Sequence, residues 1–135
     1  MYFAAGDYRD FYWMSSPEVT HSRNIAVRPQ VSIVLFDSRA STEAVVAHTT
    51  YLKATAGQVN DDELEHALTI YPGPVERGGI VTADELRAPT PYRLYRATVT
   101  EYFVLCPRSE GETCREHGLA ADHRTRVVSP ASRFA

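Results

Sequence analysis

The sequence predicts a mainly β domain, a barrel with a few helical insertions. Three observations carry that expectation. Strand-length runs rich in aromatic and β-branched residues recur at 11–15 (FYWMS), 31–37 (VSIVLFD), 44–56 (AVVAHTTYLKATA) and 92–106 (YRLYRATVTEYFVLC). Helical periodicity is confined to three short stretches between them. The length, 135 residues with 44% hydrophobic and 23% charged, suits one domain with its own core.

Taken in order, the first strand is aromatic and short, and the second is a continuous apolar run between Pro29 and the polar DSRAST stretch. The third is free of proline and glycine. The fourth is long, with Leu94, Thr98, Tyr102 and Val104 on one face and Tyr95, Val99, Phe103 and Leu105 on the other. Both faces are apolar, so this strand is expected to lie between a barrel interior and a second packed surface. The first helix is expected over 17–27, with Ser16 as N-cap, Pro17 at its first position and Pro29 stopping it. The second is expected at about 61–71, opened by Asp61 and Asp62 and stopped by PGP. The third is short, its start marked by the capping-box spacing of Thr82 and Glu85. Four strands fall short of the roughly six or more that close a barrel.

The formal net charge of −3 argues against a non-specific nucleic-acid partner, which needs a basic face. No window reaches the length of an apolar membrane span, and the start MYFAAGDYRD lacks the pattern of an export signal. The expectation is a cytoplasmic protein with no membrane partner. The stretch CPRSEGETCREHGLAADH gathers Cys106, Cys114, His117 and His123. Their spacing matches no common zinc finger, and the flanks lack paired ligand turns, so the sequence predicts a polar loop and no metal. The domain is drawn at 1–106, followed by a polar extension at 107–135.

The junction of the aromatic strand with the first helix is the candidate site. Unpartnered N–H groups and the helix dipole make a helix start a seat for phosphate. Ser15, Ser16, Thr20 and His21 surround it, and Arg23 lies within reach. The alternative is a plain capped helix whose charged residues face water.

The order FYWMSSPEVTHSRNIAVRPQVSIVLFDS resembles the flavin-binding split-barrel family, which includes the pyridoxamine 5′-phosphate oxidase-like proteins. TTYLKATAGQVNDDELEHALTIY and RLYRATVTEYFVL resemble later strands and a helix of that family, so the likeness runs over roughly residues 8 to 106. The resemblance implies an FMN-binding split β-barrel with peripheral helices, acting as a homodimer on a small-molecule substrate. It implies a flavin-dependent oxidoreductase using FMN, or a deazaflavin cofactor instead; the alternative is a dimer that binds flavin or another phosphate-bearing ligand without turnover. By position it sets Met14 and Ser15 beside the flavin, and Ser16, Thr20 and His21 around its phosphate. Arg23 belongs to the pattern, and His48 or Thr49 falls near the ring. Relatives begin with a helix and strand that are missing ahead of the YFAAGDYRDFYW hairpin here, and the motif that recognises pyridoxal phosphate is not evident.

Overall fold

The computed structural model describes residues 2–39, 41 and 49–128. Among these residues six strands form one antiparallel sheet: β1 (Ala4–Gly6), β2 (Asp10–Ser15), β3 (Gln30–Leu35), β4 (Thr50–Gln58), β5 (Arg93–Leu105) and β6 (Arg124–Val127). Their order is β1-β2-β5-β4-β3, and β6 also pairs with β5. The sheet is open rather than a closed barrel. Among the described residues its outer strands β1 and β3 do not pair with each other, which corrects the expected closed architecture.

β1 and β2 form a tight hairpin. Asp7 and Tyr8 both have positive φ, 51° and 56°, and Arg9 N–H bonds the Gly6 carbonyl at 3.1 Å. Two central residues of positive φ match the right-handed twist of the flanking strands. β5 is the spine. Its first half pairs with β2 (Asp10↔Thr98 to Ser15↔Arg93) and its end with β6 (Tyr102↔Val127 to Leu105↔Arg124), while β4 runs along its other side. Residues beyond 106 thus return to the sheet as β6.

Each face of the sheet is covered. On one, Phe11, Trp13, Leu52, Ala54, Ala56, Tyr95, Ala97 and Val99 pack with Ile25 of α1 (Thr20–Val27). The alanines matter here, since short side chains at 54, 56 and 97 leave room for the helix and for the stacked Trp13 and Tyr95 rings. On the other, Tyr12 and Leu94 pack with Leu64, Ala67 and Tyr71 of and after α2 (Asp61–Ala67). Leu86 of the 3-10 turn Ala83–Leu86 joins them, and a single helical turn, α3 (Val75–Gly78), lies between. The two apolar faces of β5 are therefore satisfied over its first half inside one chain.

Three expectations need correction. The first helix starts at Thr20, not at 17. Ser-Pro-Glu-Val instead makes a turn, with Val19 N–H reaching the Ser16 carbonyl at 3.4 Å and the Ser16 hydroxyl accepting from Glu18 N–H at 3.2 Å. Proline at the second position of a turn is as favourable as at a helix start, and that competing geometry wins. The second helix ends at Ala67 and passes into turns in which Ile70 and Tyr71 N–H both bond the Ala67 carbonyl. The faces of β5 also switch midway. Lys53 pairs with Glu101 but Ala54 pairs with Val99, so Thr100 is an extra residue, and its hydroxyl bonds the Lys53 carbonyl at 3.1 Å. A bulge of one residue inverts a strand's alternation. Tyr102 therefore packs on the Val99 side, opposite Leu94.

Candidate functional site

Alternation along β2 sends Phe11, Trp13 and Ser15 to the α1 face and Tyr12 and Met14 to the other. After Ser15 the 16–19 turn reverses the chain into α1, whose first residues lie back over the strand end. The Ser15 hydroxyl and His21 Nε2 are 2.9 Å apart, and the Ser22 hydroxyl donates to Ser15 at 3.3 Å. Ser15 and Ser22 are buried; the His21 ring is exposed. Ile25, one turn beyond His21, drops into the core.

His21 and Ile25 line part of a cleft of about 770 Å³. Its walls come from Phe11 and Trp13 of β2, from Val31, Ile33 and Leu35 of β3, and from Phe3, whose ring sits 5.7 Å from that of Phe11. Residues beside both outer strands thus line the same space, so the sheet curls toward its α1 face without closing. Apolar walls with a few polar groups at one end are the usual make-up of a small-molecule site, and the volume lies within the range of roughly 300–1,000 Å³ for such sites. Trp13 is 5% exposed, and its buried indole Nε1–H has no acceptor among the described residues. A buried donor without a partner is uncommon in folded proteins and calls for an explanation.

The expected site residues divide. Ser15 and His21 meet, and of the two His21 lines the cleft while Ser15 is buried and is not among its lining residues. Ser16 is engaged in the turn, and Thr20 opens α1 with no side-chain cap before it, leaving the first N–H groups of that helix unclaimed by a capping side chain. Arg23 points into solvent and is paired with Glu18 at 2.8 Å. Met14 shares the opposite face with Tyr12, away from the cleft. Thr49 is buried just before β4 and is not among the cleft-lining residues, and His48 lies outside the described residues. The apolar share of the site, Phe3, Phe11, Trp13 and β3, was visible in the sequence only as strand hydrophobicity.

A second cluster lies at the end of β5. Cys106, Cys114, His117 and His123 each direct a ligand-type atom into one spot, all within 4.8 Å of one another. Both cysteines are buried and unbridged. Burial pushes the Cys114 thiol up, but N–H donors from Leu119 and His117 outweigh it and bring its pKa down to about 6. Burial and the neighbouring Cys114 push Cys106 the other way. The predicted loop is there, but it is folded around its cysteines and histidines.

The fold and cleft define a mainly antiparallel β protein with an apolar cleft on one sheet face. No family model and no curated protein matches the chain. Among solved structures, it is similar to a heme-binding protein from Mycobacterium smegmatis, with 16% identity and a TM-score of 0.57 over 92% of this chain. A second solved structure aligns over 94% of the chain and 68% of its own, at 16% identity and a TM-score of 0.50. At such identity the likeness is one of fold. The chain spans 44% of the length of the heme-binding protein.

Proposed function

We propose that this chain is a split-barrel-type flavin-binding protein, taking FMN or a deazaflavin in the cleft between β2, β3 and α1, and acting as an oxidoreductase. The observation that carries the reading is the cleft itself: apolar walls that include the ring of Trp13, whose buried indole N–H has no partner among the described residues, and the His21 imidazole, hydrogen-bonded to Ser15. These residues fit a flavin. Phe11, Trp13, Val31 and Ile33 offer a dry surface for a planar ring, and Trp13 Nε1–H offers a donor to a ring oxygen or nitrogen. Ser15, His21 and the first N–H groups of α1 suit a phosphate tail. A bound flavin supplies hydride-transfer chemistry, which the protein's own residues need only orient and shield from water. The sequence resemblance, with its Ser15 and His21, supports the same group.

A heme reading is favoured by the heme-binding neighbour of similar fold and by the exposed His21 ring lining an apolar cleft. Titration separates them. Under the flavin reading FMN fluorescence is quenched on binding to one site per chain, and NADPH or NADH bleaches the bound chromophore. A saturable Soret shift with hemin, together with no FMN quenching, would overturn it. The proposal includes a homodimer, motivated by the exposed Val34 and Phe36 beside the outer strand β3. A single-chain mass by light scattering at micromolar concentration would remove that part.

A further inference from the structure

We propose that Cys106, Cys114, His117 and His123 bind one zinc ion in a closed, four-ligand tetrahedral site that ties the 106–123 loop to the end of β5. The first support is metrical. Zinc bonds of about 2.3 Å to sulfur and about 2.0–2.1 Å to nitrogen imply tetrahedral edges of about 3.6 Å between S and N and about 3.3 Å between two N. The Sγ···N separations are 3.7 Å (Cys106–His117), 3.7 Å (Cys114–His117) and 3.3 Å (Cys114–His123), and the two histidine nitrogens are 3.1 Å apart. Each lies close to its tetrahedral edge.

The second support is the orientation of the ligands. His123 Nδ1 is 2.8 Å from the Ala121 carbonyl, which can only accept, so Nδ1 carries the proton and Nε2 faces the cluster with a free lone pair. Cys114 and His117 sit on a tight turn. His117 N–H donates to Cys114 Sγ at 3.2 Å, Gly118 N–H bonds the Cys114 carbonyl at 3.0 Å, and Gly118 has φ +67°. That positive φ lets the chain fold back so that Cys114 N–H reaches the Leu119 carbonyl at 2.9 Å. Such a turn holds a sulfur and the ligand three residues on to one side. The remaining pair is brought in by Cys106 N–H bonding the His123 carbonyl at 2.8 Å, and Arg108 and Asp122 clamp the loop at 2.7 Å. Two soft thiolates and two imidazoles in a tetrahedron suit zinc among the common divalent ions. With four protein ligands no position is left for water, so the site is structural.

The test uses the full chain, purified without chelator. Elemental analysis is expected to find one zinc per chain, and cobalt added after zinc removal is expected to give the visible bands of tetrahedral thiolate-bound cobalt, saturating at one equivalent. Cys114→Ser should lose both signals, while His66→Ala, a histidine on α2, should keep them. Should Cys114→Ser fail to fold, the cobalt titration of the parent protein decides alone. The proposal is overturned if the parent holds no metal above background and gives no tetrahedral cobalt spectrum. It is equally overturned if thiol titration of the isolated protein shows Cys106 and Cys114 joined as a disulfide.

Discussion

Replacing Trp13 with phenylalanine should leave the ligand-free protein nearly as stable while weakening FMN binding. The indole is 5% exposed with an unpartnered Nε1–H, and an unsatisfied buried donor costs about 1–3 kcal/mol. Phenylalanine removes that donor. The smaller ring gives up roughly two methylene groups of burial, about 1.6 kcal/mol at about 0.8 each. The space released adjoins the open cleft rather than a sealed core, so the added penalty for an enclosed void is small. Stacking on Tyr95, whose ring is 5.7 Å away at 16°, survives the change. The two effects offset to within about 1.5 kcal/mol. FMN, by contrast, loses a hydrogen bond of about 0.5–1.5 kcal/mol, or about 2- to 13-fold in Kd. Urea unfolding and FMN fluorescence titration on parent and variant measure both quantities. A stability loss above about 3 kcal/mol with unchanged FMN affinity would refute the reasoning, since the indole N–H would then be satisfied by water and irrelevant to the ligand.

His21→Ala should weaken FMN binding by about 1–3 kcal/mol, the range for a hydrogen bond to a charged group. Because the ring is exposed, urea unfolding of that variant should match the parent within about 0.5 kcal/mol; a larger loss would make His21 structural. Leu94→Ala should lower stability by about 3–5 kcal/mol, because Leu94 is among the most completely buried side chains and is enclosed by Tyr12, Leu64 and Leu86. A loss under about 1 kcal/mol would mean that this second core is not closed as described. The Glu85 carboxyl is held below its ordinary range by the Thr82 N–H at 2.7 Å and then by the Thr82 hydroxyl at 3.0 Å. A depressed folded pKa gives stability that is full above the unfolded value of about 4.3 and is lost as pH falls through the folded one. Glu85→Gln should therefore flatten the acid limb of the stability–pH curve, and parallel curves from about pH 7 to pH 3 would contradict this.

What the sequence made legible was whatever depends on local pattern. Apolar runs marked β3, β5 and the part of β4 that the expected strand 44–56 shares with it (44–48 lie outside the described residues), Pro29 marked the end of α1, and the Thr82–Glu85 spacing marked the 3-10 turn. The meeting of Ser15 and His21 was also readable, because they lie only six positions apart across one turn and the start of a helix. Features set by distant segments were not. Arg23 has the chemistry for a phosphate, but Glu18 lies nearer and takes it. Met14 adjoins Ser15 in sequence, yet the pleat sends it to the other face. The Cys106 cluster closes only because β6 returns to β5 and brings His123 to Cys106, a pairing that no ligand spacing encodes.

The bulge at Thr100 has a consequence for how insertions and deletions would fare in β5. In most strands the loss of one residue is ruinous, because every side chain beyond it changes face. Here Tyr102, Phe103, Val104 and Leu105 are apolar in succession, so either phase offers the sheet a greasy residue at each place. Burial alone therefore holds the phase of this half-strand weakly. Polar contacts supply the discrimination: Tyr102 Oη to the Tyr8 carbonyl at 2.5 Å, Lys53 to Glu101 at 3.4 Å, and the Thr100 hydroxyl at the kink. Excising Thr100 would cost the bond at the kink but not the alignment, because Val99 would still meet Ala54 and Glu101 would still meet Lys53. Cys106 would keep its face and the three groups it now meets, so this is the one place in β5 where a deletion is absorbed.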